Sequence, residues 1–247
     1  MVSIRTEIIN ALLSTLNYQA AAREIRMGIH WTAVVTRDCG LASTPHAPED
    51  HHRGLPSPVK DAGHLLEKDV LGLSRMARSE SVLEAAIGIA TINSLLEIEE
   101  SRCIDLNAAD LIQEKGRDKR VAIVGHFPFV KRLRETTKEL WVIEKHPRET
   151  DLGESEADNI IPKADVVAIT GSAFVNHTIE DLLKLCEPKA FVIVLGPSTP
   201  LSPILFDYRI DVISGTKVID SETVLRHVSQ GVIFRQMKGV RLLTMKR

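Results

Sequence analysis

The sequence has little cysteine, few aromatics and no long apolar run. Cys39, Cys103 and Cys186 are odd in number, widely separated and in no Cys-x-x-Cys spacing, which excludes a disulfide framework and a cysteine-rich zinc site. No segment approaches the roughly 18 apolar residues that a spanning helix needs, and charges occupy residues 1–7, where a signal peptide would be turning apolar. The expectation is a cytoplasmic protein with no membrane partner. An excess of one charge is missing too: 31 Lys and Arg against 33 Asp and Glu leave a formal charge of −2, so nucleic acid is not an expected partner. Internal repeats and low-complexity tracts are absent, which excludes solenoids. What is present, 44% hydrophobic residues in a chain of 247, is enough for one large domain or two small ones.

The pattern favours two, divided at 105. In the first part Ile4, Ile8, Leu12 and Leu16 behind Ser3 read as an amphipathic helix. Ile25, Met27, Ile29, Trp31, Ala33 and Val35 then alternate with polar or small residues as one long strand, and residues 37–40 turn the chain into Leu41, Ala42 and Ser43. Four prolines make 45–63 a loop. Two helices follow, one through Leu65 to Ala77 and one from Ser81, where Ser81 and Glu84 have capping-box spacing. This is an α+β unit. From Arg120 onward, Val- and Ile-rich runs at 121–125, 140–144, 165–170, 190–195 and 210–213 alternate with helical stretches at 128–138, part of 155–164, 178–187 and, after the last strand, 221–230. That rhythm predicts a doubly wound parallel sheet, so the whole chain is of the α/β class.

In such sheets ligands bind outside the carboxyl ends of the strands. The first end is Gly125-His126-Phe127-Pro128, with one glycine where a dinucleotide fingerprint needs three, which disfavours NAD in its usual mode. Glu144 ends the second strand, where nucleotide-binding folds place a ribose-accepting acid. Thr170-Gly171 with Asn176 and Thr178 follows the third strand, and Gly196-Pro197-Ser198-Thr199-Pro200 the fourth. Glycine combined with hydroxyl and amide side chains suits hydrogen bonding to a small polar or anionic molecule. Nucleophile elbows, P-loops and HExxH are all absent. In the loop, His46, Glu49, Asp50, His51 and His52 offer imidazole and carboxylate groups of the kind that hold divalent transition metals, with His51 and His52 the candidate ligands.

These residues resemble the uncharacterised proteins grouped as a heavy-metal-chelation family, nearly end to end. The resemblance rests on Gly125-His126-Phe127-Pro128-Phe129, Thr170-Gly171, Asn176-His177-Thr178, the Gly196–Pro200 loop and the run 86–93, which ends in Asn93. It implies an enolase N-terminal-like domain over 1–105, a Rossmann-like domain over 106–247, and a site in the cleft between them that handles a metal or metal chelate. Enolase chemistry is not implied, because a chain of this length has no room for the catalytic barrel. Asn93 and the His51 region would close the cleft. The alternative is a transferase or lyase that uses a nucleoside cofactor, with His126 as acid or base and Glu144 on the ribose. A third, structural reading treats the loops as caps and the chain as a subunit of an assembly, such as a homo-oligomer. Charge divides unevenly: residues 1–106 carry 10 basic and 14 acidic side chains and 107–247 carry 21 and 19, a mildly acidic cap facing a mildly basic sheet domain.

Overall fold

A computed structural model describes residues 5–45, 57–104, 106–148 and 150–247. The first helix, α1 (Glu7–Ser14), buries Ile8, Ile9, Leu12 and Leu13. It starts after Thr6, and Leu16 lies beyond its end; Ser3 and Ile4 are outside the described residues. No side chain of its own caps α1. The Ile8 N–H donates instead to Oε1 of the buried Glu180 at 2.8 Å, so a distant carboxylate satisfies the helix N-terminus.

The expected long strand is two strands. β1 (Glu24–Met27) and β2 (Trp31–Val35) pair antiparallel in the register Met27↔Thr32, and β3 (Cys39–Ser43) completes a three-stranded meander. The Gly28 N–H donates to the Trp31 carbonyl at 2.8 Å and closes the intervening turn, which leaves Ile29 62% exposed. Period-two alternation runs on through this tight turn, so the pattern alone could not locate the break.

Then come α2 (Val70–Arg75), a short 3₁₀ turn, and α3 (Val82–Leu95). Ser81 caps α3 as expected, but Glu84 accepts from Lys60 N–H and the Ser79 hydroxyl rather than reaching back to Ser81. α3 is buried on nearly every side.

The second part contains α4 (Ala108–Gly116), β4 (Arg120–Val124), α5 (Val130–Leu133), β5 (Glu139–Glu144), β6 (Leu152–Gly153), α6 (Ala157–Ile160), β7 (Val166–Thr170), α7 (Ser172–Val175), α8 (Ile179–Leu185), β8 (Phe191–Leu195), β9 (Val212–Val218), α9 (Ser221–Ser229) and β10 (Val240–Lys246). The strands form one sheet in the order β10-β9-β8-β7-β4-β5-β6, parallel except for β10. The mixed α/β class and the doubly wound sheet are as expected. The helix expected over 128–138 shrinks to α5, because Thr136 and Thr137 hydroxyls both bond back to the Leu133 carbonyl and end it.

Each central strand serves two cores. Ala122, Val167 and Ile169 face a cluster shared with Ile8, Leu12, Ile87, Ile92 and Phe174, while Val121, Ile123, Val166 and Ala168 face Leu111, Ile112, Val130 and Leu133. Helices on both faces explain why these runs are continuously apolar. The first cluster runs unbroken from α1 and α3 into the sheet. Val224 and Val228 of α9 pack on Ala33 and Leu41 in a third cluster. Among the described residues no helix is long and apolar enough to cross a membrane.

Strand order reverses between β4 and β7, and a clamp at their amino ends fixes the pair. Arg120 reaches Asp165 with its guanidinium at 2.9 and 3.1 Å and its N–H at 3.0 Å. Those bonds hold the Asp165 carboxyl below its usual 3.8, at about 2. The folded value is the depressed one, so the clamp's contribution is complete above the ordinary carboxylate value and is lost as pH falls through about 2. Arg120→Met should therefore lower the urea midpoint at neutral pH by a small amount, since the pair is well exposed. In a pH series of urea titrations, the gap from wild type should close within that acid window.

Candidate functional site

At the carboxyl ends of β4, β5 and β7, the strands diverge around a crevice of 390 Å³. Its first wall is made by Gly125, whose φ of +105° turns the chain off β4, while its N–H donates to the Ile143 carbonyl at 2.9 Å and ties the turn to β5. That turn brings His126 and Phe127 to the same opening as Glu144, and Phe127 stacks on Phe129 with centroids 5.1 Å apart. Thr170 at the end of β7 bonds Ser172 through their hydroxyls at 3.1 Å, and Asn176 and Thr178 continue the wall. Val124, Ile143, Leu182 and Leu185 supply an apolar floor. Thus Gly125, His126, Phe127, Glu144, Thr170, Asn176 and Thr178, chosen from the sequence, meet at one place.

Charge in the crevice is mainly negative. Glu144, Glu154, Asp158 and Asp181 line it against Lys145 and the His126 ring, although Arg5 pairs with Asp181 at the rim.

Sequence reading missed Asp151. Its carboxylate Oδ2 lies 3.2 Å from His126 Nδ1, with the side chain only 1% exposed. No motif or spacing marks a partner 25 residues away; the Asp151 N–H donates to the Arg148 carbonyl at 2.9 Å, a bond that helps hold the carboxylate beside the imidazole.

The other expected ligand residues lie in a different place. Ser198 and Thr199 are each 2% exposed. Ser198 Oγ accepts the Ser43 N–H at 2.8 Å, and Asn93 Nδ2 donates to the Leu41 carbonyl at 2.8 Å and to the Ser198 carbonyl at 3.4 Å. Gly171 lies directly against Thr199, and the Gly196 N–H donates to the Ser214 carbonyl. The Gly196-Pro197-Ser198-Thr199 loop is thus a joint between the end of β8 and the β3–α3 unit, fastened by its own hydrogen bonds. A separate crevice of 470 Å³ between the meander and the sheet is lined by Asp38, Cys39, Asn93, Glu97, Thr216 and Lys217; of the expected residues, Asn93 alone borders it. Burial pushes the Cys39 thiol there up to about 12, which disfavours its thiolate.

The candidate metal residues His51 and His52, with His46, Glu49 and Asp50, lie outside the described residues. Among the described residues, no group of three or more His, Cys, Asp or Glu side chains is arranged to hold a metal ion. Those residues therefore do not fit a resident metal, whereas the crevice has room for a small organic molecule.

Comparison with known proteins agrees with the fold. Two family models, both described as "Putative heavy-metal chelation", match residues 9–96 and 107–246. An uncharacterised protein of Methanocaldococcus jannaschii is 26% identical over 180 residues, 69% of this chain and 70% of its own. The crystal structure of a DUF364-family protein of unknown function from Desulfitobacterium hafniense superposes with a TM-score of 0.84 at 25% identity, covering 98% of both chains. Another of unknown function, from Pyrococcus horikoshii, gives 0.80 at 22% identity over the whole of both. With a family model matched over residues 107–246 and full-length structural likeness to two of its members, the chain belongs to the DUF364 family, described as "Putative heavy-metal chelation".

Proposed function

We propose that this protein binds a small, hydroxyl-bearing polar molecule, a chelator or its metal complex, in the crevice outside the carboxyl ends of β4, β5 and β7. The observation that carries the reading is the convergence of Gly125, His126, Glu144, Thr170, Asn176 and Thr178 on one half-apolar crevice at the strand-order reversal. Glu144 accepts from ligand hydroxyls, Thr170, Asn176 and Thr178 complete the polar contacts, and Leu182 and Leu185 take the carbon skeleton. The surplus of carboxylates favours a neutral or metal-loaded, cationic form over a free polyanion. The family description supports the metal-chelate identity of the ligand.

Elemental analysis of untagged protein, beside mass spectrometry of what it releases on denaturation, tests the reading directly. A released chelator or chelate supports it. A retained nucleotide would instead favour the nucleoside-dependent enzyme, with Glu144 on the ribose. Two substitutions separate binding from folding. Thr170→Val should weaken the released ligand's binding about fivefold with little change in melting temperature, as loss of one exposed hydrogen bond does. Ser198→Ala should do the reverse and lower the melting temperature by a few degrees with affinity intact, because Ser198 Oγ is committed to Ser43. If titration calorimetry shows Ser198→Ala losing affinity and Thr170→Val keeping it, the site is misplaced.

A further inference from the structure

The binding reading leaves Asp151 without a task. Its side chain is 1% exposed, a costly position for an ionised carboxylate unless donors compensate it. Oδ2 accepts the Arg148 N–H at 3.2 Å and meets His126 Nδ1 at 3.2 Å, while Oδ1 has no hydrogen-bond partner among the described residues. An ionised carboxylate accepts and cannot donate, so beside an ionised Asp151 a neutral imidazole would carry its hydrogen on Nδ1 and leave Nε2 bare. The His126 side chain keeps 29% of its surface exposed and lines the crevice. A buried acid thus meets one ring nitrogen of an imidazole that borders the crevice.

We propose that His126 Nε2 is a general base towards a ligand hydroxyl in this crevice and that Asp151 is its positioning residue, an inference that rests on the binding site proposed above. In the step, the ligand O–H bond breaks, an Nε2–H bond forms and the electron pair stays on the ligand oxygen. The imidazolium so formed is paired with Asp151, and it and Lys145 offset the Glu144, Glu154 and Asp158 carboxylates that share the lining with the oxyanion. Return of the proton closes the cycle, so no oxidant or second reactant is consumed. Loss of a hydroxyl proton is also what an oxygen chelator undergoes when it takes up a metal ion. The substrate class is thus a molecule with an acidic hydroxyl, of the catechol, enol or hydroxamate kind.

Two measurements test this. In ¹⁵N-labelled protein, the neutral His126 ring should be in the Nδ1–H tautomer, and Asp151→Asn should return it towards the Nε2–H form that a free imidazole prefers. The second uses nitrocatechol, whose phenolate absorbs apart from its phenol. At a pH below the dye's own midpoint, bound dye should be ionised about tenfold more than free dye. Measured on the fraction of dye that is bound, that gain should vanish in His126→Gln and largely vanish in Asp151→Asn, with circular dichroism unchanged. An Nε2–H tautomer in the wild type overturns the role of Asp151. Dye that binds but stays protonated overturns the base and leaves the binding reading standing. Absence of dye binding at millimolar concentration counts against the binding reading itself, and the inference fails with it.

Discussion

Phe174→Ala should destabilise the whole chain by about 3–5 kcal/mol, the usual cost of removing a fully buried aromatic ring. Phe174 is 0% exposed and sits on α7, a single turn between β7 and α8. Its ring belongs to the cluster that also contains Ile87 and Ile92 of α3 and Val167 and Val194 of the sheet. The cavity left behind therefore opens where the two halves meet, and neither half can collapse into it alone. Against a total stability of order 5–15 kcal/mol, the variant would be marginal at physiological temperature. The sequence provides its own reporters. Trp31 lies on β2 and Trp141 on β5, so single-tryptophan variants read each half in the same urea titration. A shared core predicts that both signals move to one lower midpoint with unchanged slope. If Phe174→Ala moves only the Trp141 transition, the halves unfold separately and the continuous cluster is not a cooperative unit.

The parallel sheet was legible because its signal is strong: runs such as Val166–Thr170, buried on both faces, can hardly be read otherwise. β10 was missed, although Val240–Lys246 is apolar enough, since it leaves Leu242 60% exposed on an edge and pairs antiparallel with β9, outside the parallel pattern of the other strands. The first strand was overextended because alternation does not register a turn as tight as Gly28–Trp31. For the site, position at strand ends found most of one wall of the crevice. It could not tell an open strand end from a covered one. Gly125-His126-Phe127 and Gly196-Pro197-Ser198 look alike in sequence, yet the second is sealed by Ser43 and Asn93 from a distant part of the chain. Asp151 was invisible for the same reason, because its significance comes from a contact with His126, 25 residues away, and not from its neighbours.

That difference makes Gly171→Ala the sharpest probe of the sealed end. A Cβ at residue 171 would lie 2.4 Å from Thr199 Oγ1 and 2.6 Å from Thr199 N. The hydroxyl could rotate away, but the backbone nitrogen cannot, and the loop that carries it is tied to Ser43 and Asn93 through Ser198. Relief therefore requires β8's loop to move off β3 and α3, at a cost of about 3 kcal/mol. For a chain of this size that corresponds to a melting temperature lower by about 6–12 °C. Adding Thr199→Ala should restore part of the loss and no more, since it removes the Oγ1 contact and leaves the nitrogen. Full rescue would mean that the contact is a side-chain clash only, and a drop below about 1 °C would mean that the loop is free to shift. Thr170 precedes Gly171 by one residue but faces the crevice, so ligand affinity measured well below the melting temperature should survive Gly171→Ala. The two adjacent residues would then divide the work, Thr170 holding ligand and Gly171 holding the halves together.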